Sequence, residues 1–197
     1  MFFPGLIILA AGGSTRMGRV KQLLPIAGTT LLRRAVETAL ATTFRPIVVV
    51  LGCEAEACRA EIASLPVEVA INSDWAEGLG TSLRVGVETL ERIAPEISGA
   101  MVLLPDQPTV TAAWLEELRA RWHPPEAPLV ATNHEGHGGV PALLGREFFP
   151  ELLALSGDGG ARVVLANNRA RAILLRPPQP VTDLDTPEDL RRFEAHS

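Results

Sequence analysis

Six short apolar runs recur along the chain, at residues 6–11, 46–51, 67–71, 100–104, 129–132 and 172–175. They are continuously apolar rather than alternating, the pattern of strands covered by helices on both faces. The segments between them supply such helices. Residues 30–41 set Leu31, Ala35, Thr38 and Ala39 along one side, and residues 82–93 do so with Val85, Val87, Leu90 and Ile93. Residues 111–122 carry Trp114, Leu115, Leu118 and Trp122 at helical spacing, with Thr111 placed as an N-cap. The alternation predicts an α/β chain: a three-layer α/β/α, Rossmann-like fold with a mostly parallel sheet. In such sheets ligands bind beyond the carboxyl ends of the strands. The loops after residues 6–11 and 100–104 are therefore where chemistry is expected.

A length of 197 residues suits one domain, 1–197, with a substantial core. Pro124-Pro125 and residues 177–180 (PPQP) break the pattern as loops, but neither separates two cores. The net charge of -5, from 18 basic and 23 acidic residues, argues against a bulk nucleic-acid surface. Cys53 and Cys58 have neither zinc nor Cys-x-x-Cys spacing and are expected as reduced thiols. The first residues, MFFPG, lack the positive start of a signal peptide, and the following run is far below the roughly 20 residues that span a bilayer. A cytoplasmic protein, not inserted in a membrane, is expected.

The run 6–11 opens into a glycine-rich loop, LAAGGSTRMGRVK, residues 9–21. Gly12 and Gly13 let a backbone approach a phosphate chain closely, and amides there can cradle it. Arg16 and Lys21 can neutralise the rest: Arg through paired hydrogen bonds, Lys as a point charge. Two standard phosphate loops do not fit. Gly13 and Gly18 have Walker spacing, but Arg19 and Val20 follow where Lys and Ser/Thr belong, and the glycines do not make Gly-x-Gly-x-x-Gly.

The loop resembles the entry loop of the MobA-like nucleotidyltransferases, which reads Leu-Ala-(Ala/Gly)-Gly-x-(Ser/Gly)-x-Arg-Met-Gly-x-x-Lys. Four further segments agree in order: 72–82 (NSDWAEGLGTS), 104–108 (LPDQP), 157–162 (GDGGAR) and 183–190 (DLDTPEDL). Together they cover nearly the whole chain. The resemblance implies a nucleotidyltransferase fold. It also implies an activity: transfer of CMP from CTP to the phosphate of molybdopterin or its molybdenum form, with release of pyrophosphate. Such transfer needs aligned reactants, neutralised charge and a divalent ion, Mg²⁺ or Mn²⁺, held by one or two carboxylates. It needs no covalent nucleophile, and none stands out.

The resemblance assigns roles residue by residue. Asp106, just past a strand, becomes a metal ligand and catalytic residue; its position alone is equally that of a turn aspartate. Asp185 becomes the second ligand, with Asp183 its rival and an N-cap role, shared with Thr186, its alternative. Arg16 and Lys21 become phosphate contacts and catalytic groups. Ala10, Ala11, Gly12, Gly13, Ser14, Asn72, Gly78, Gly80 and Ser82 line the nucleotide site. Gly78 and Gly80 read equally as residues that bend the start of a helix. Ala11 favours CTP over GTP, since guanylyl-transferring relatives typically carry a second glycine there. The acceptor side falls on residues 136–144, read as a flexible loop entering a short strand, and on residues 157–162, where Asp158 and Arg162 read equally as a helix start with an ion pair. His134 and His137 lack further metal-ligand residues nearby and are read as solvated. Three other functions fit the same residues: GMP transfer to the same acceptor, transfer to another phosphorylated acceptor, and a cofactor carrier. Expected partners are CTP or GTP, a molybdopterin-type acceptor, and a recipient molybdoenzyme or its chaperone.

Overall fold

The structure, a computed structural model, describes residues 3–13 and 20–194. Strand β1 (Pro4–Ala10) is central and wholly buried. Its continuous apolar run is explained by the two faces it serves. Leu6, Ile8 and Ala10 join one core, while Ile7, Leu9 and the following Ala11 join the other. A hairpin, β2 (Pro25–Ile26) and β3 (Thr29–Thr30), follows and turns through Ala27 and Gly28, both at positive φ. Helix α1 (Leu31–Leu40) is capped by Thr30, whose hydroxyl accepts from Arg33 N. The sheet continues with β4 (Ile47–Leu51), helix α2 (Ala55–Ile62) and edge strand β5 (Glu68–Ile71). Then come helix α3 (Leu79–Ile93), strand β6 (Gly99–Leu103) and helix α4 (Ala112–Ala120). Thr111 caps α4 as expected, accepting from Trp114 N.

The second half departs from the simple alternation. Strands β7 (Leu129–His134) and β8 (His137–Gly145) form a hairpin. Helices α5 (Phe149–Leu153) and α6 (Ala161–Asn167), strand β9 (Ala172–Leu175) and helix α7 (Pro187–Glu194) complete the chain. The seven-stranded sheet runs β5-β4-β1-β6-β8-β7-β9. β8 alone is antiparallel to its neighbours; the other four pairings are parallel. The reading of residues 136–144 as a flexible loop entering a short strand is corrected in its first part, since the strand already includes the glycines. Gly138, Gly139 and Pro141 disguise a nine-residue strand. The register against β7 jumps between Ala131 and Thr132, leaving Val140 and Pro141 unpaired. That bulge is where a residue without an N–H is tolerated in a sheet interior.

Two cores fill the layers: α1, α2 and α4 cover one face, and α3, α5 and α6 the other. A third cluster joins Leu24, Ile26 and Leu31 to Leu184 and Leu190, docking α7 beside the first loop. Among the described residues, no helix is long and apolar enough to cross a membrane.

Candidate active site

Because β1 and β6 are parallel neighbours, the loops leaving their carboxyl ends open side by side. The first loop is pinned by Gln22, which is buried. Its Nε2 donates to Ala10 O at 2.9 Å and to Gly12 O at 2.7 Å. Ala11 O accepts from Cys53 N at 2.9 Å. Gly13 lies flat on Trp75: a Cβ there would stand 2.9 Å from the indole. A side chain at this contact would have to shift the indole. The amides of Gly12 and Gly13 donate to no described residue, which leaves them for a ligand. Ser14 and Arg16 lie outside the described residues.

Lys21 is the centre of the site. Its Nζ stands 2.5 Å from Asp106 Oδ2 and 2.8 Å from Asp185 Oδ1. It also donates to Leu184 O at 3.4 Å. Residues from three distant parts of the sequence thus converge. Burial by itself lowers an ammonium's pKa, but the two carboxylates outweigh it and hold Lys21 above its ordinary value. Asp106 sits at the start of the turn after β6, almost fully buried. Burial pushes its carboxyl up, against the opposing pull of Lys21.

Asp106 also locks the C-terminal segment in place, since its carbonyl accepts from Leu184 N at 2.9 Å. Asp183 and Asp185 are placed differently. Asp183 Oδ1 accepts from Gln107 Nε2 at 2.9 Å, and Asp185 faces Lys21. Nor does the Asp185 side chain cap α7. Thr186 Oγ1 accepts from Asp189 N, and Asp189 Oδ2 accepts from Thr186 N at 2.8 Å, a reciprocal capping pair.

The donor set suits a divalent cation. Asp106 Oδ1 is buried without a partner, a costly state for a carboxylate oxygen. A second carboxylate stands across a shared ammonium. Two carboxylates, with waters and phosphate oxygens completing the shell, are what Mg²⁺ ordinarily takes from a protein.

On the nucleotide side the arrangement is tighter than the motif suggests. Asn72, at the end of β5, donates to Thr81 Oγ1 and Ser82 Oγ, both at 2.9 Å, and its Oδ1 accepts from Asp74 N. It brackets the N-terminus of α3. Gly78, at φ 118°, precedes α3, and a Cβ there would meet Gly157 at 2.3 Å. Gly80 N donates to Gly157 O at 2.9 Å. Both glycines thus seat the 156–159 turn against the helix. Ala10, Ala11, Asn72 and Ser82 are all buried, Ala10 facing one core and Ala11 the other.

On the acceptor side, α6 begins after Gly160, and no Asp158–Arg162 ion pair forms. His134 is half-buried with Nε2 2.9 Å from Val140 O. The ring lies over Gly139, where a Cβ would come within 2.6 Å of it. Gln22 and Gln107 are the residues sequence reasoning missed. Gln22 follows the motif residue Lys21 and Gln107 lies inside the 104–108 segment, which is the only signal the sequence offers for them.

Comparison with known proteins shows the family and the fold. The profile of the MobA-like NTP transferase domain matches residues 6–172. The chain is 31% identical to nicotine blue oxidoreductase of Paenarthrobacter nicotinovorans, across 95% of this chain and 94% of that protein. It is 26% identical to the molybdenum cofactor cytidylyltransferase of Escherichia coli K12, across 93% and 91%. A crystal structure of Rv0371c from Mycobacterium tuberculosis H37Rv in complex with manganese superposes with a TM-score of 0.80, at 30% identity and full coverage of both chains.

Proposed function

The chain belongs to the MobA-like NTP transferase family and is a nucleotidyltransferase, and we propose that it transfers CMP from CTP to molybdopterin or its molybdenum form. The observation that carries this reading is the convergence of Lys21, Asp106 and Asp185 beside two unengaged glycine amides. An acceptor phosphate oxygen attacks the α-phosphorus, the bond to the β-phosphate oxygen breaks, and pyrophosphate leaves. The amides of Gly12 and Gly13, with Lys21 and Arg16, hold the triphosphate and neutralise charge as it builds on the leaving group. Asp106 and Asp185 would hold Mg²⁺, with Mn²⁺ able to replace it. Such an ion polarises phosphoryl oxygens when bound. Lys21 keeps the two carboxylates together beforehand, so the site is assembled before substrate arrives. Gln22 fixes the carbonyls of Ala10 and Gly12 and thereby aims the loop amides outward.

CTP rather than GTP is favoured by Ala11. It stands where guanylyl-transferring relatives typically carry a second glycine, and it is buried at the start of the loop. The product is a dinucleotide form of the cofactor, for delivery to a molybdoenzyme or its chaperone.

The test is a nucleotide panel with purified molybdopterin and Mg²⁺, scored by pyrophosphate release. CTP is expected to lead, GTP to follow, and Ala11→Gly to narrow the gap. Asp106→Ala is expected to abolish turnover while keeping the circular dichroism of the parent. CTP binding without pyrophosphate release from any acceptor would make the protein a carrier.

A further inference from the structure

Beyond the Lys21 site, the carboxyl edge of the sheet holds a large cleft of about 1230 Å³. The β7–β8 hairpin, α6 and the segment after β9 enclose it. Three arginines from three places in the sequence line it: Arg162 on α6, Arg169 after it and Arg176 after β9. None of the three forms an ion pair with a described carboxylate. Their neighbour Arg171 behaves differently, pairing with Glu147 and stacking on Phe148. Of the described lining residues only Glu135, at the exposed hairpin tip, is acidic. Three unspent guanidiniums around one concavity raise the local concentration of an anion, and each offers a planar fork suited to oxyanions.

The cleft is joined to the reaction centre. Val181 lines it, and two residues later Asp183 accepts from Gln107. Gln107 also reaches Val140 O at 3.4 Å, and that carbonyl is the partner of His134, a wall of the cleft. One short polar chain therefore runs from the cleft to the residue beside Asp106.

We propose that this cleft seats the acceptor, and that Arg162, Arg169 and Arg176 bind an anionic group on it other than the phosphate that attacks. This rests on the transferase reading above and deepens it by assigning the acceptor class: a molecule anionic at both ends. The arginines then act on acceptor affinity, not on CTP.

Two measurements separate failure of this proposal from failure of that reading. The first needs no turnover. Inorganic phosphate is titrated into the protein while the histidine ring resonances are followed by NMR, with His134 and His137 assigned through H134Q and H137Q. Phosphate is expected to shift the His134 and His137 signals and leave His123, far from the cleft, in place. The triple variant R162Q/R169Q/R176Q is expected to lose those shifts while its fold, checked by the remaining resonances, persists. Shifts that survive in the triple variant, or no shifts at all, overturn the anion site. The second measurement is steady-state kinetics with molybdopterin as acceptor. The triple variant is expected to raise the acceptor KM at least tenfold with the CTP KM unchanged. An unchanged acceptor KM overturns the assignment to the acceptor. If the parent releases no pyrophosphate with molybdopterin, the acceptor reading above falls, and the phosphate titration still decides the cleft.

Discussion

Gln107 holds Asp183 at 2.9 Å and so removes it from the carboxylate pair that faces Lys21. Asp183 and Asp185 are two residues apart, yet they have different partners. An amide at position 183 can still accept from Gln107, so Asp183→Asn is expected to keep kcat within about threefold. Asp185→Asn removes a charge from the reaction centre and is expected to cost on the order of 10²–10³ in kcat. Equal losses in the two variants would show that both aspartates serve the metal.

The Lys21 pairing predicts a pH signature. Its folded-state pKa lies above the ordinary 10.5 because two carboxylates outweigh its burial. The stabilisation it gives is therefore complete below about pH 10.5 and is lost as pH climbs through the higher folded value. Lys21→Met leaves Asp106 buried and uncompensated, costing about 2 kcal/mol after allowance for partial exposure. The deficit of the variant is expected to shrink in two directions. It shrinks above pH 10.5, as the parent loses its ammonium, and in acid, as the already raised Asp106 takes a proton. Thermal melts of both proteins from pH 4 to pH 11 check this. A deficit that is constant across the range would mean that the ion pair contributes nothing.

Gln22 is expected to matter for nucleotide affinity more than for chemistry. Gln22→Leu takes the donor from the carbonyls of Ala10 and Gly12, at about 1–3 kcal/mol for the buried one, Ala10. The loop amides then lose their aim. The CTP KM is expected to rise roughly tenfold, a loss of about 1.4 kcal/mol in binding, while the acceptor KM stays put. A rise in the acceptor KM alone would place Gln22 elsewhere in the mechanism.

Most of the fold was legible because its signals are local. β1 and β6 are buried on both faces, and their apolar runs say so; Thr30 and Thr111 stand directly before their helices. The first part of β8 was not legible, because its glycines and Pro141 satisfy a loop pattern as well as a bulged strand. Only pairing with β6 and β7, distant in sequence, decides between them. The site shows the same division. Lys21 and Asp106 lie in motifs, and the structure brings them together. Gly78 and Gly80 carried two readings, and their close contact with the 156–159 turn favours packing at the start of α3. Gln22 and Gln107 act through partners 10 to 76 residues away, a kind of contact with no periodicity to read.

The cap of α7 links a helix end to catalysis. Thr186 and Asp189 each bond the other's backbone N–H, and Asp189 Oδ2 also accepts from Asp185 N at 3.2 Å. The cap thus fixes the backbone of the residue that faces Lys21. Hydrogen bonds from the Thr186 hydroxyl and amide hold the Asp189 carboxyl below its ordinary 3.8. A depressed carboxyl stabilises above its unfolded pKa and loses that effect as pH falls through the lower folded value. Thr186→Ala is expected to cost about 1 kcal/mol at pH 7, the usual worth of an N-cap. The gap from the parent is expected to narrow below the ordinary 3.8 and to close only once the pH has fallen through the lower folded value, where the parent's Asp189 is protonated too. Because Asp185 loses its anchor, kcat is expected to fall several-fold with the CTP KM little changed, and Thr186→Ser is expected to restore both stability and rate. Loss of stability without loss of rate would show that α7 is only docked beside the site, and that Asp185 is held by Lys21 alone.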